Sequence, residues 1–190
     1  MTENLAEIFQ KLSPEEREYF LAGLLENLEF DGDAEKVCRI LSDYDFIYSK
    51  MKRFGTESLI KDYNLRYSPK LNLDVDVKNN LRLIQSALRL SENIIIKDRN
   101  QLASQLWGRL PHEDYPVVLK LLEDTKNRCK RPWLRPITPS LINAGGPLIR
   151  ILEGHTSVIT SLAVYRNKLF SGSWDKTIRV WDAEIGRAHV

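Results

Sequence analysis

A chain of 190 residues with 43% hydrophobic and 28% charged side chains has room for one or two domains, and this composition excludes the disordered, fibrous and collagen-like classes. The longest aliphatic run, Ile94-Ile95-Ile96, falls far short of the roughly 20 residues that span a bilayer. Glu3 and Glu7 stand where a signal peptide is basic, so a cytoplasmic protein with no membrane partner is expected. The formal charge of +2 hides an asymmetry, since residues 1–48 hold 12 acids against 4 bases and the remainder hold 14 against 24. Two such halves steer partners or face each other.

Leu5, Ile8, Phe9 and Leu12 recur at helical spacing, and Ser13-Pro14-Glu15-Glu16 then supplies a start signal. Ser13 suits the cap, Pro14 the first helical position, and Glu16 completes a capping box. The helix behind it places Phe20, Leu21, Leu24, Leu25 and Leu28 on one face, and Asp31-Gly32-Asp33 stops it. A second helical stretch holds Val37, Ile40 and Leu41. A third runs from about Asp43 through Phe46, Ile47 and Met51 to Phe54, with Gly55 as its expected end. A shorter helix from Glu57 to Tyr63 follows. Leu81, Ile84, Leu88 and Ile95 restore the pattern, and Leu102, Leu106 and Leu110 give a helix closed by Pro111. Val118, Leu121 and Leu122 make one more, with Asp114 or Tyr115 before it and Pro116 in its first turn. Residues 1–128 are therefore expected to be an all-α bundle of six to eight helices.

Residues 129–147 change character. Pro132, Pro136, Pro139 and Pro147 fall here with Gly145 and Gly146, a density that forbids helix and predicts a stiff linker, along which Trp133, Leu134, Ile137, Leu141 and Ile142 have apolar surface to pack. Beyond it the period becomes two, and Leu148–Leu152, Val158–Val164, Leu169–Ser173 and Thr177–Trp181 are predicted strands. The fold class expected is mainly α, a multi-helix bundle followed by a proline-rich linker and a partial antiparallel sheet over residues 148–190.

Leu152 to Asp182 reads LEGHTSVITSLAVYRNKLFSGSWDKTIRVWD, in which Gly154-His155 opens and Trp181-Asp182 closes two alternating apolar runs. It resembles one WD repeat, a single four-stranded blade of a β-propeller. Such blades occur in closed rings of four to eight, because one blade cannot bury both of its faces. The stretch PWLRPITPSLINAGGPLIRILEGHTSVITSLAV is similar to the junction before the first WD repeat in bacterial, especially cyanobacterial, proteins that combine an NB-ARC/NACHT-like nucleotide-switch ATPase with a propeller. LRLIQSALRLSENIIIKDRNQLASQLWGRL, with LSDYDFIYSKM and LIKDYNL before it, resembles the helical region of that family and of its relative, apoptotic protease-activating factor. No GxxxxGK[ST] phosphate loop occurs in the chain, and only one blade is present. By the resemblance, Leu148–Leu152 is the closing strand of a last blade, Arg187–Val190 is a stub of the first blade's outer strand, and the chain is expected to be a fragment of a longer architecture. The protein partners so implied are further WD repeats or a separately encoded NB-ARC/NACHT-type ATPase.

Ser171, His155 and Asp175 as a bare set compose a nucleophile, a base and its orienter, the outline of a small hydrolase. Their spacing matches instead the structural tetrad of a WD blade, His155, Ser171, Asp175 and Trp181, in which the resemblance implies a relay from indole to hydroxyl to imidazole to carboxylate. A buried carboxylate and a buried indole N–H must both be satisfied, and a closed relay does so. Lys126, Arg128, Lys130, Arg131 and Arg135 with Trp133 form a basic patch over residues 126–135. It fits phosphate contact with base stacking, or cations at a helix C-terminus facing the acidic first third. His112 beside Glu113 and Asp114, and His189 near the end, lack further ligands at metal spacing. Glu15-Glu16 and Asp43 with Asp45 suit helix starts better than acid–base pairs. Cys38 and Cys129, with no CxxC pairing, read as reduced thiols. The expected function is a non-catalytic protein–protein interaction module without cofactor or metal, with a nucleic-acid adaptor through residues 126–135 as the alternative and the hydrolase behind it.

Overall fold

Helix starts carry the architecture of the first part of the chain. The computed structural model describes residues 12–129, 132–148, 152, 154–182 and 188–189, so of the first expected helical stretch only Leu12 lies among them. Helix α1 (Pro14–Phe30) opens with a complete capping box: the Glu16 N–H donates to Ser13 Oγ at 3.3 Å and the Ser13 N–H to Glu16 Oε2 at 2.7 Å. It buries Leu21, Leu25 and Leu28 and ends before Gly32, whose φ of 70° no β-carbon favours. Asp33, Asp43 and Asp74 then each accept a backbone N–H three residues on, starting α2 (Ala34–Leu41), α3 (Tyr44–Asp62) and α4 (Val75–Lys97). A 3-10 turn (Tyr63–Tyr67) follows α3, and a second (Arg99–Gln101) leads into α5 (Leu102–Arg109). Helix α6 (Pro116–Arg128) begins at Pro116 with no side-chain cap from Tyr115.

The predicted break at Gly55 is present. Gly55 adopts φ 83° and ψ 166°, outside the helical region, and helical backbone resumes beyond it to Asp62, so α3 is two helical segments joined at a kink. Leu59 and Ile60 in the second segment are core residues and hold it onto the bundle.

Helix α4 lies against α3, α5 and α6 and carries the densest buried stripe, Leu81, Ile84, Leu88 and Ile95, packed with Phe46, Ile47, Leu59, Tyr63, Leu106 and Leu121. Each such side chain contributes about 1.5–3 kcal/mol on burial. Two of the polar groups inside reach backbone carbonyls: the Tyr63 hydroxyl donates to Leu41 O at 2.6 Å, and Gln85 Nε2 donates to Ile60 O at 2.8 Å. Lys50, buried in α3, donates to Leu21 O at 3.0 Å and pairs with Asp62 at 3.2 Å. Burial raises the Asp62 carboxyl above its ordinary range, and Lys50 opposes that shift.

The chain divides into two compact units, Met1–Ile149 and Arg150–Val190. Within the first, the described residues of the proline-rich stretch lie in neither helix nor strand, and its last part is docked: the Leu141 and Ala144 N–H groups donate to Gly108 O and Arg109 O, both at 2.9 Å. The second unit is an antiparallel sheet in the order β1-β2-β3-β4, comprising β1 (Ile159–Tyr165), β2 (Lys168–Ser173), β3 (Ile178–Asp182) and β4 (Ala188–His189). Leu162 pairs with Ser171, Ser171 with Arg179, and Trp181 with Ala188. Alternation therefore puts Leu162, Val164, Leu169, Ser171, Arg179 and Trp181 on one face and Tyr165, Phe170, Ile178 and Val180 on the other. Of the expected closing strand Leu148–Leu152, only Leu148 and Leu152 are described, and neither is in a strand.

Candidate functional site

The β2–β3 turn assembles the polar centre of the sheet unit. Lys176 takes φ 66°, and the chain reverses with the Ser173 N–H donating to Thr177 O at 3.2 Å. This swings the Asp175 carboxylate back over the loop that carries Gly154 and His155. The Asp175 side chain is only 7% exposed, and four donors reach it. Oδ1 accepts the Thr177 hydroxyl at 2.5 Å and the Thr177 N–H at 2.9 Å, while Oδ2 accepts the Thr156 N–H at 3.0 Å and stands 2.8 Å from His155 Nδ1. The Thr177 hydroxyl, ahead of the His155 ring and the two backbone N–H groups, holds the carboxyl well below the usual carboxylate range against the opposing effect of burial.

An ionised Asp175 fixes the rest of the relay. It accepts from His155 Nδ1–H, which leaves Nε2 as an acceptor for the Ser171 hydroxyl at 2.7 Å. Ser171 Oγ in turn accepts the Trp181 indole N–H at 2.7 Å. Four side chains from a loop, two strands and a turn thus form one continuous chain of donors and acceptors, with the His155 and Trp181 rings edge to face at 6.2 Å. Gly154 is required by packing: a β-carbon there would stand 2.8 Å from Arg179 Nη1 and 3.2 Å from the Trp181 ring. Asp182, the last residue of the motif, pairs across the strands with Lys168 at 2.8 Å.

Ser171, His155 and Asp175 have the order and distances of a catalytic triad, and two features separate them from one. Ser171 is 1% exposed, and its oxygen already accepts the Trp181 N–H. A nucleophile needs an open approach to its oxygen. Here the buried ends of the relay, a carboxylate and an indole, satisfy each other through the hydroxyl and the imidazole. Thr156 and Thr177 hold the carboxylate as firmly as His155 does, yet the sequence reading passed over both. Asp175-Lys176-Thr177, an acidic residue two before a hydroxyl in a turn, was the available signal.

The basic patch is taken apart by its own helix bundle. Arg128 Nη1 lies 3.0 Å from Asp43 and 2.9 Å from Asp45, with Asp124 at 3.8 Å, and Lys126 pairs with Glu123 at 3.5 Å. Asp43 and Asp45 belong to the acidic first third, so the two charge halves meet here. Arg135 lies over the Trp107 ring at 5.1 Å, with Trp133 tilted beside the same ring at 6.2 Å and His112 edge-on to it at 4.9 Å. Lys130 and Arg131 lie outside the described residues, as does the His189 side chain. His112 Nε2 is bonded to Trp107 O at 2.9 Å, and among the described residues no group of three or more His, Cys, Asp or Glu stands together as a metal site. Cys38 and Cys129 form no disulfide, and Glu16 and Asp43 serve as helix-start residues.

The family match falls mainly on the sheet unit. Residues 146–182 match the family described as WD domain, G-beta repeat, which places a WD40 repeat there. A periodic tryptophan protein 2 homolog of Caenorhabditis elegans is 50% identical over 36 residues, 19% of this chain and 4% of that protein. The nuclear distribution protein PAC1 of Debaryomyces hansenii is 46% identical over 54 residues, 27% of this chain and 10% of that protein. The cell division control protein 4 of Candida albicans is 51% identical over 35 residues, 18% and 5% of the two chains. The chain thus spans a tenth or less of the length of these curated relatives. No solved structure matches it.

Proposed function

We propose that the chain is a non-catalytic protein–protein interaction module, a helical unit that carries a WD blade for assembly with further WD repeats. One observation carries this reading: the blade leaves large apolar side chains open on both faces. Leu162 and Val164 are 65% and 74% exposed on one face, and Tyr165 and Ile178 are 64% and 77% exposed on the other. A sheet with two open apolar faces is built to be covered on both sides. The His155, Ser171, Asp175 and Trp181 relay fastens the blade from inside and is not an active site. The division into a helical bundle over 1–128, a linker over 129–147 and the blade over 148–190 belongs to the same proposal, as does a cytoplasmic location.

The test is assembly in trans. Mixed with a WD propeller lacking one blade, the chain should form a stable complex by size-exclusion chromatography and lose its binding of the apolar dye ANS. Unchanged dye binding and separate elution would sink the reading. Labelling of Ser171 by a fluorophosphonate would instead support the hydrolase.

The resemblance of residues 37–186 to the helical region and first WD repeat of NB-ARC/NACHT-type ATPases supports a sensor role, in which the helices couple nucleotide state to propeller position. Genomic DNA encoding a phosphate-loop ATPase upstream and GH…WD repeats downstream would bear this out, and a complete operon without them would overturn it.

A further inference from the structure

Residues 141–145 are held almost wholly by hydrogen bonds to the corner where α4 meets α5. The Leu141 and Ala144 N–H groups take the carbonyls of Gly108 and Arg109, both at 2.9 Å. These carbonyls belong to the last turn of α5, where no intrahelical donor is available. The Gly145 N–H donates to Ser86 Oγ of α4 at 3.0 Å. Ile142 O accepts from Arg109 Nη1 at 3.1 Å, while Arg109 Nε donates to Ser91 Oγ at 3.0 Å, so this segment completes the bonding of a buried guanidinium.

A glycine marks each end of the contact. On Gly108 a β-carbon would stand 2.8 Å from the Leu141 side chain, and on Gly145, at φ 79°, it would stand 2.7 Å from Leu83. The fit is therefore close, and its apolar burial is partial: Ala144 is buried, whereas Leu141 and Ile142 remain 38% and 50% exposed. A surface segment anchored by a few hydrogen bonds and half-buried side chains opens at a lower free energy than the fully buried core beneath it.

We propose that residues 141–145 form a latch that docks and releases as one unit, and that its release lengthens the tether leaving the helices. Freed, residues 141–148 add about 25–30 Å of reach. The local concentration of anything carried beyond the tether depends on that length. The proline-rich stretch is in this view a two-state spacer and not a passive one.

Native-state hydrogen exchange on the full chain tests the latch. The Leu141, Ala144 and Gly145 amides should exchange with one common opening, at least about tenfold slower than an unstructured peptide and before the buried amides of α4. Gly108→Val should remove all three protections and leave α4 protected. Ser86→Ala, which removes only the acceptor of the Gly145 N–H, should lower the Leu141 and Ala144 protections by a shared factor and that of Gly145 further still. Three outcomes overturn the latch: peptide-like exchange in the unaltered chain, release only together with α4, or loss of Gly145 protection alone in Ser86→Ala. Should Gly108→Val unfold the helices, the Ser86→Ala result decides.

Discussion

At Ser171 a single hydroxyl joins two hydrogen bonds inside an otherwise apolar sheet, one from Trp181 and one to His155. Ser171→Ala removes both and strands the indole N–H, so the sheet unit should lose about 1–3 kcal/mol in chemical denaturation. Asp175 gives the site a pH signature. Its folded carboxyl titrates below the usual range, so its contribution is fully present above the ordinary carboxylate pKa and fades as pH falls toward the folded value. Asn at this position does not titrate. The stability gap between the unaltered chain and Asp175→Asn should hold steady from neutral pH down to about pH 5 and shrink below about pH 4. A gap that widened on acidification would contradict the four-donor geometry. The relay was legible because its members sit at repeat spacing around Gly154 and Trp181. The Thr156 N–H was not, since a backbone donor about twenty residues away leaves no periodicity to read, whereas Thr177 had its signal in the Asp175-Lys176-Thr177 turn.

Helix α3 shows what a local signal does and does not decide. Gly55 carries a conformation open essentially to glycine alone, and a β-carbon there would meet nothing within 4 Å. Gly55→Ala should therefore cost about 1–3 kcal/mol through backbone strain alone, measured by thermal denaturation, and a larger neighbouring cavity should not relieve it. Glycine as a stop signal was read correctly, and Leu59 and Ile60 then start the chain into a second helical segment that returns to the core. Arg128 ties the C-terminal end of α6 to the N-terminal end of α3 through Asp43 and Asp45. Arg128→Ala should lower stability by about 1–2 kcal/mol, a charged-bond value reduced for partial exposure. That a cation of the patch would meet the acidic first third was one of the two readings the charge counts allowed, and Arg128 does so. The docking of residues 141–145 was not legible, because carbonyls at a helix end accept any extended backbone that passes.

On the scale of the whole chain, helices and sheet form separate compact units, with buried apolar clusters in the first and a hydrogen-bonded polar centre in the second. Unfolding should accordingly proceed in two steps, the sheet unit first. Calorimetry should resolve two transitions, and Ser171→Ala should move only the earlier one. A single transition shifted as a whole would show instead that the units unfold together. The mainly helical class was readable from apolar spacing and caps, and β1 to β3 from two-residue alternation, whereas β4 was expected only through the resemblance to a WD repeat, as was the exposure of both sheet faces. The two tryptophans of the sheet unit have a practical consequence. Trp181 is 3% exposed with its N–H bonded to Ser171, whereas Trp174 in the turn is 73% exposed. The blade therefore carries a native pair of fluorophores, one sheltered from an aqueous quencher and one open to it. Covering of the turn by a partner and loosening of the relay can be told apart by light alone, with no label attached.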